Sequence, residues 1–502
     1  MSTIAATLRG EGLLERYFGF AARGTTLARD TMAGVTTFVV MSYIIFVNPA
    51  ILSFSGNAAL EEKGLPFGQV LASTCLVAAV MSIAMGLVTN YAYAIAPGMG
   101  LNAFIAYGLV ASGKASWPEA MGLVVLEGVA MVALAVTGLR ELIFRAIPLE
   151  LKKAIAIGIG LFIAFIGLYN SGIIANVDPS GGQPVGLGSF TTWPIFVTFF
   201  GLVFTFVLRA IRFRGDLIVG IIGTTIVATI VNKATDYAAF GHTGPAVWPG
   251  WGNLSSRPDL GLLGQISFHS FSATQLGIVA SLVWVFSLFL SDFFDFSGTA
   301  IGVGKQAGYV DKDGNIPKFK KALVVDGLAA MAGGAASSSS ATTYIESGSG
   351  VAAGGRTGWV AITAGLLFIP FMFFSPLIGM VPPEATAAAL IVVGWLMIST
   401  LTEMEGEAEE ADGGKSTKLA GIDFHDLAIG LSAALAIMIM PFTYSITNGI
   451  GFGFITYTLI CAARREWKRI HPFMWIVSAA FVLYFLVPVL QQHVSWFGGH
   501  GV

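Results

Sequence analysis

Ser337-Ser338-Ser339-Ser340-Ala341-Thr342-Thr343-Tyr344-Ile345-Glu346-Ser347-Gly348 breaks into a succession of apolar segments with a polar, strand-tolerant stretch that passes into a small-residue helix. A second interruption is built alike. Tyr91-Ala92-Tyr93-Ala94-Ile95-Ala96 leads through Pro97-Gly98-Met99-Gly100 to a helical stretch from Leu101-Asn102-Ala103-Phe104, extended first and helical second. The surroundings decide what such breaks mean. Of 502 residues 55% are hydrophobic and 11% charged, with a mean hydropathy of +0.77. A soluble chain with so few charges could not cover its own surface. Both breaks therefore sit in an integral membrane protein, where free backbone groups must be satisfied by protein or face a cavity.

Working outward, apolar segments recur down the chain, most of them close to the roughly 20 residues that cross a hydrocarbon core of about 30 Å as a helix. The first half holds seven, at 30–51, 68–90, 91–109, 118–138, 148–171, 193–209 and 217–231. The second half holds eight, at 276–304, 322–336, 337–354, 359–380, 383–398, 425–440, 446–461 and 472–490, the last being surplus to symmetry. Short cytoplasmic loops carry excess Lys and Arg. Arg140, Arg145, Lys152 and Lys153 follow the fourth span, and Arg209, Arg212 and Arg214 the sixth. Lys305, Lys312, Lys318, Lys320 and Lys321 follow the eighth, and Arg464, Arg465, Lys468 and Arg469 the fourteenth. This parity predicts a cytoplasmic N-terminus, an extracytoplasmic 232–275 stretch with Trp248 and Trp251, and an acidic 403–418 loop inside. The first 29 residues, with Arg9, Arg16, Arg23, Arg29, Glu11 and Glu15, lack a signal-peptide pattern. A net charge of -2 and a pI near 6.3 offer no basic face to nucleic acid. Cys75 and Cys461 lie far apart in apolar runs and are expected to pack, not to pair or hold metal.

The interval from Asn102 to Glu346 nearly equals that from Asp30 to Leu276, which suggests a repeat. Seven spans separate equivalent positions, so the two copies are inverted. Interrupted segments at matching places in inverted halves point to a transport site near the bilayer midplane, with half-helix N-termini facing it. The eighth span adds Ser291-Asp292-Phe293-Phe294-Asp295-Phe296-Ser297-Gly298-Thr299, whose carboxylates at i and i+3 are expected on one helix face. A charge at bilayer depth costs roughly 2.5 to 3.5 kcal/mol, so such a pair implies a protein-lined polar cavity.

Four stretches carry a family resemblance: Asp30-Thr-Met-Ala-Gly-Val-Thr-Thr-Phe, Pro97-Gly-Met-Gly-Leu-Asn-Ala-Phe, Ser291-Asp-Phe-Phe-Asp-Phe-Ser-Gly-Thr, and Thr342-Thr-Tyr-Ile-Glu-Ser-Gly-Ser-Gly. In this order they resemble the AzgA-like hypoxanthine/guanine/adenine permeases of the nucleobase/cation symporter (xanthine/uracil permease) superfamily. The resemblance covers nearly the whole chain. It implies an all-α, seven-plus-seven inverted-repeat transporter of uracil-permease-like fold in the plasma (inner) membrane. After an N-terminal 1–29, a core domain would comprise 30–140 and 276–381, and a gate domain 141–233 and 382–502, with 234–275 as the joining loop. It further implies a homodimer through the gate domains and purine bases as substrates. Base-binding residues carry over to Asn102, Asp292, Asp295, Glu346 and, as a contact, Phe296. The serine run 337–340 departs from the more mixed Gly/Ser/Thr run of relatives.

The chemistry of these residues is compatible with that reading. A 6-oxopurine offers N1–H, and guanine adds a 2-amino group, so one carboxylate can accept two parallel hydrogen bonds, a role that suits Glu346. Asp292 or the Asn102 amide could meet the imidazole edge, and Phe296 could cover the base. Accumulating a neutral base requires a coupled ion. The proton is the expected one, exchanged at a desolvated carboxylate, Asp292 or Asp295, with no other cofactor and no metal. An anion transporter or channel of the same fold would carry Arg or Lys in the broken segments, where this chain has Asn and Glu and the nearest basic residue is Arg356. An enzyme is not indicated. His242, His269, His425, His471, His493 and His500 all fall at loops, termini or segment edges, and no nucleophile and base stand together.

Overall fold

Small residues decide which helices meet. In a bilayer the lipid is as apolar as leucine, so helices associate where glycine and alanine let their backbones approach. The computed structural model describes residues 12–57, 59–138, 146–175, 185–242, 244–272, 277–310, 316–403 and 421–493. Among them, eight helices are long and apolar enough to cross a membrane, and shorter apolar helices complete the set. The sequence segments recur as these elements with their ends moved by a few residues. Arg9, Arg140, Arg145, Lys312 and the acidic stretch from 404 to 418 lie outside the described residues.

The fourth span, Trp117–Thr137, packs along the ninth, Phe319–Ala335. A Cβ on Gly128 would stand 2.6 Å from the carbonyl oxygen of Gly327 and from Cγ of Met331, so that contact tolerates no side chain. The eleventh span, beginning with Trp359–Phe368, packs against the first, Leu27–Leu52, and the second, Phe67–Thr89. A second set gathers around the fifth span, Leu149–Asn170, which meets the twelfth, Pro383–Glu403, and the thirteenth, Leu427–Phe442. Trp193–Ala210 and Asp216–Ala234, the sixth and seventh, pair with each other and with the twelfth. The surplus terminal segment is a helix, Pro472–His493. It lies against the fourteenth span, Ile446–Ala463, where the Thr458 and Ser478 hydroxyls are 2.8 Å apart, and against the eighth, Gly277–Ala307, where Phe473 meets Phe286. Cys75 and Cys461 are free and buried.

Asp30 shows how the first quoted motif works. Fully buried at the start of the first span, its carboxylate accepts from the Thr25 hydroxyl at 2.6 Å, from the Arg356 and Thr357 N–H groups at 3.1 and 3.0 Å, and from the Thr357 hydroxyl. Beside it Arg23 donates to the carbonyls of Asn90 and Arg356. One end of the first, second and eleventh spans is thereby tied together by backbone groups that the helix termini leave free.

Candidate functional site

The third and tenth segments each begin as a short strand inside the protein, β1 (Ile95–Pro97) and β2 (Ala341–Thr343). They pair antiparallel in the register Ile95 to Thr343, Ala96 to Thr342 and Pro97 to Ala341. Flanking bonds from Gly98 N to Ser340 O at 2.8 Å and from Tyr344 N to Ala94 O at 2.9 Å lengthen the ladder. Each interruption thus satisfies the other's backbone, as burial demands. β1 runs into Met99–Ala103 and then a π-helical turn, Phe104–Ala111, and β2 runs into the short helix Ser347–Ala352. Such π-helical insertions are frequent at functional sites. Here one presents Phe104 to the buried Trp284 ring, 5.0 Å away and stacked.

Beside this crossing lies a cavity of about 550 Å³. Tyr43, Gly98, Asp295, Thr343, Tyr344 and Glu346 line one side, and Ile155, Ile159, Val393 and Met397 of the fifth and twelfth spans the other. The helix start comes close to the fifth span because position 100 is glycine, where a Cβ would stand 2.6 Å from Ile159 Cγ2. The cavity extends to Lys305 and Gln306 at the end of the eighth span. Past the other end of the crossing, Tyr444 is ringed by Tyr107, Phe162, Phe165 and Tyr169, with centroids 5.4 to 6.2 Å from its own.

Of the residues singled out from sequence, Glu346 and Asp295 are in the cavity wall. Glu346 precedes the Ser347 helix, and its Oε1 accepts from the Tyr43 hydroxyl at 2.7 Å. Asn102 is fully buried one layer behind, its Nδ2 donating to Asn48 Oδ1 at 2.9 Å while its own Oδ1 has no donor. Asn48 in turn donates to the Thr74 hydroxyl and the Ser338 carbonyl, so it braces the serine run. Phe296 is fully buried and meets the Phe319 ring edge-on, outside the cavity wall. The expectation that Asp292 and Asp295 face one chamber is corrected by the geometry. Residues three apart on an α-helix differ by about 60° in direction, and where neighbours pack closely around the helix that is enough to separate them. Asp295 looks into the cavity; Asp292 lies buried among Glu127, Ser340 and Thr342.

Four further residues stand at or behind the crossing. Tyr43 and Asn48 belong to an unremarkable apolar stretch of the first span. Glu127 and Asp326, carboxylates inside the fourth and ninth spans, are fully buried. The cost of charge at bilayer depth is a sufficient signal for both in the sequence.

Comparison with known proteins adds the context. A family described as a permease family, that of the xanthine/uracil permeases, matches residues 29–412. The guanine/hypoxanthine permease PbuG of Bacillus subtilis is 35% identical over 94% of this chain and 99% of its own. The adenine permease AdeQ of Escherichia coli is 36% identical over 94% of this chain and 96% of its own. Among solved structures, the transmembrane domain of a cyanobacterial bicarbonate transporter, BicA, aligns with a TM-score of 0.57 at 15% identity, covering 85% of this chain and 97% of that one. The murine anion transporter Slc26a9 in an inward-facing state gives 0.58 at 12% identity, covering 87% and 68%. Likeness at that identity concerns the fold.

Proposed function

The chain belongs to the xanthine/uracil permease family, and on that premise we propose that it imports purine bases by proton symport. The observation that carries the reading is the cavity at the β1–β2 crossing, which has Glu346 and Asp295 in its wall and extends to Lys305 and Gln306 at the end of the eighth span. Glu346 accepts from the N1–H edge of the base, and the 2-amino group of guanine takes its second oxygen. The Tyr43 hydroxyl already on Oε1 fixes the carboxylate's direction, so a base meets a preorganised acceptor. Asp295, close enough to Glu346 to feel its charge, and Asp292 behind it supply the groups that exchange the proton.

Transport proceeds by an elevator-like movement of the core domain, which bears the crossing, against the gate domain. The gate side of the cavity supports this, since Ile155, Ile159 and Val393 make no directional bond that a sliding partner would have to break. The chain works as a homodimer joined through the gate domains in the plasma membrane. Anion transport on the same fold is disfavoured by the two carboxylates in the wall, which would oppose an anion in a medium of low dielectric.

Uptake of labelled hypoxanthine, guanine and adenine by cells expressing the chain, with and without a protonophore, tests the proposal. Accumulation that collapses with the protonophore is expected. Absence of uptake for every purine removes the substrate class, and accumulation indifferent to the protonophore removes the proton.

A further inference from the structure

Behind the base cavity lies a second concentration of buried acid, formed by Glu127 of the fourth span, Asp292 of the eighth and Asp326 of the ninth, all fully buried. β2 forms the partition between the two. Thr343 lines the cavity, while its N–H and hydroxyl both donate to Asp326 Oδ1 at 2.8 Å, and the Thr342 hydroxyl reaches Oδ2 at 3.2 Å. Asp326 is therefore well supplied with donors. The other two are not. Glu127 Oε1 accepts from the Ser340 hydroxyl at 3.2 Å, but Glu127 Oε2 and both oxygens of Asp292 have no donor. Yet the Glu127 and Asp292 carboxyl groups are within hydrogen-bonding reach of each other.

A carboxylate has only acceptors, so two carboxyl groups in contact can be joined only by a proton. Among the described residues no cluster of side chains is arranged to hold a metal ion. We propose that Glu127 and Asp292 share one exchangeable proton in a site separate from the base cavity. The proton comes from water on one side as H⁺, bridges the two carboxylates as a carboxylic acid–carboxylate pair, and leaves as H⁺ to water on the other. No bond other than O–H forms or breaks. The titratable groups facing the pair are Asp326, then Asp295 one turn along the eighth span, and beyond it Glu346. Lys152 of the fifth span lies over the Phe294 ring, on another face of the eighth, and Tyr484 of the terminal helix reaches Trp284, about two turns away. Thr343, bonded to Asp326 and exposed to the base, connects the two sites. The coupling role rests on the transport reading; the shared proton does not.

Infrared spectra of the purified protein in H₂O and D₂O, taken across pH, test the site without any substrate. The wild type should show a protonated-carboxyl band that shifts in D₂O and titrates, and Glu127→Gln should lose it, because the glutamine amide supplies the missing donor permanently. In proteoliposomes, accumulation of a purine base driven by a pH gradient should fall to equilibration in Glu127→Gln. Glu127→Asp should keep the band with a displaced titration midpoint. A Glu127→Gln protein that retains the full band, or accumulates base with the wild-type pH profile, overturns the proposal. If that variant does not fold, an unchanged midpoint in Glu127→Asp overturns it instead. Wild-type protein that shows the band but moves no purine would leave the proton site standing and remove the transport reading.

Discussion

Glu346 accepts from the Tyr43 hydroxyl, and in the proposed function it also accepts from the base through the same two oxygens, so its substitution is informative. Glu346→Gln keeps the size of the side chain and exchanges one acceptor for a donor. A charge-assisted hydrogen bond is worth roughly 1.5 to 3 kcal/mol, so guanine and hypoxanthine should bind about tenfold to a hundredfold more weakly. Adenine, with neither N1–H nor a 2-amino group, should lose less. Competition of each base against a labelled substrate in membranes containing the variant measures this, and equal weakening for all three would assign Glu346 a structural part only. The carboxylates of the eighth span should separate in a second experiment. Asp292→Asn should abolish accumulation while sparing competition by unlabelled base, because the side chain is outside the cavity wall; Asp295→Asn, inside it, should impair both. Unimpaired, normally pH-dependent transport in both variants would contradict their assigned roles. Residues whose charge is anomalous at bilayer depth were the legible ones. Tyr43 was not, since an apolar-looking tyrosine acquires its meaning only from a partner 303 positions away. For Asn102 and Phe296 the family resemblance implied base contacts, and their packing, Asn102 on Asn48 and Phe296 on Phe319, has no sign in the sequence.

At the scale of elements, the strand-then-helix character of the two interruptions was legible because proline, glycine, serine and threonine mark where a helix cannot run. Their pairing with each other was not, because three residues of register leave no periodic trace in sequence. Nor does sequence say which glycines are contacts. Gly128 is one, wedged against Gly327 and Met331, and Gly128→Ala should destabilise the protein by about 1 to 3 kcal/mol through overpacking. Thermal unfolding in detergent should register the loss, beside an unchanged Gly252→Ala, whose Cβ would meet nothing within 4 Å. A Gly128→Ala protein as stable as the parent would mean that the fourth and ninth spans yield to each other, against their role as one unit.

For the whole molecule, the basic loops after even-numbered spans imply an orientation that can be read chemically, since the two native cysteines are buried. A cysteine at Trp251, which is 83% exposed, should react with a membrane-impermeant thiol reagent in intact cells, and one at Arg212 should not. Labelling at Arg212 from outside would reverse the topology. The apolar segments made the spans legible, whereas the seat of the terminal helix against the eighth and fourteenth spans was set by particular contacts such as Thr458 with Ser478. The pairing of β1 with β2 bears also on how the protein comes into being. Tyr344 donates to the carbonyl of Pro97 across 247 positions, so β1 is synthesised and delivered to the bilayer long before its partner exists. At roughly 5 to 20 residues per second the wait is about 12 to 50 s, during which three residues of extended backbone have no permanent ladder. The nascent first half must meanwhile remain in water, in the insertion machinery or in a provisional helix, so it is this interval in biogenesis that exposes the chain most to misassembly and degradation.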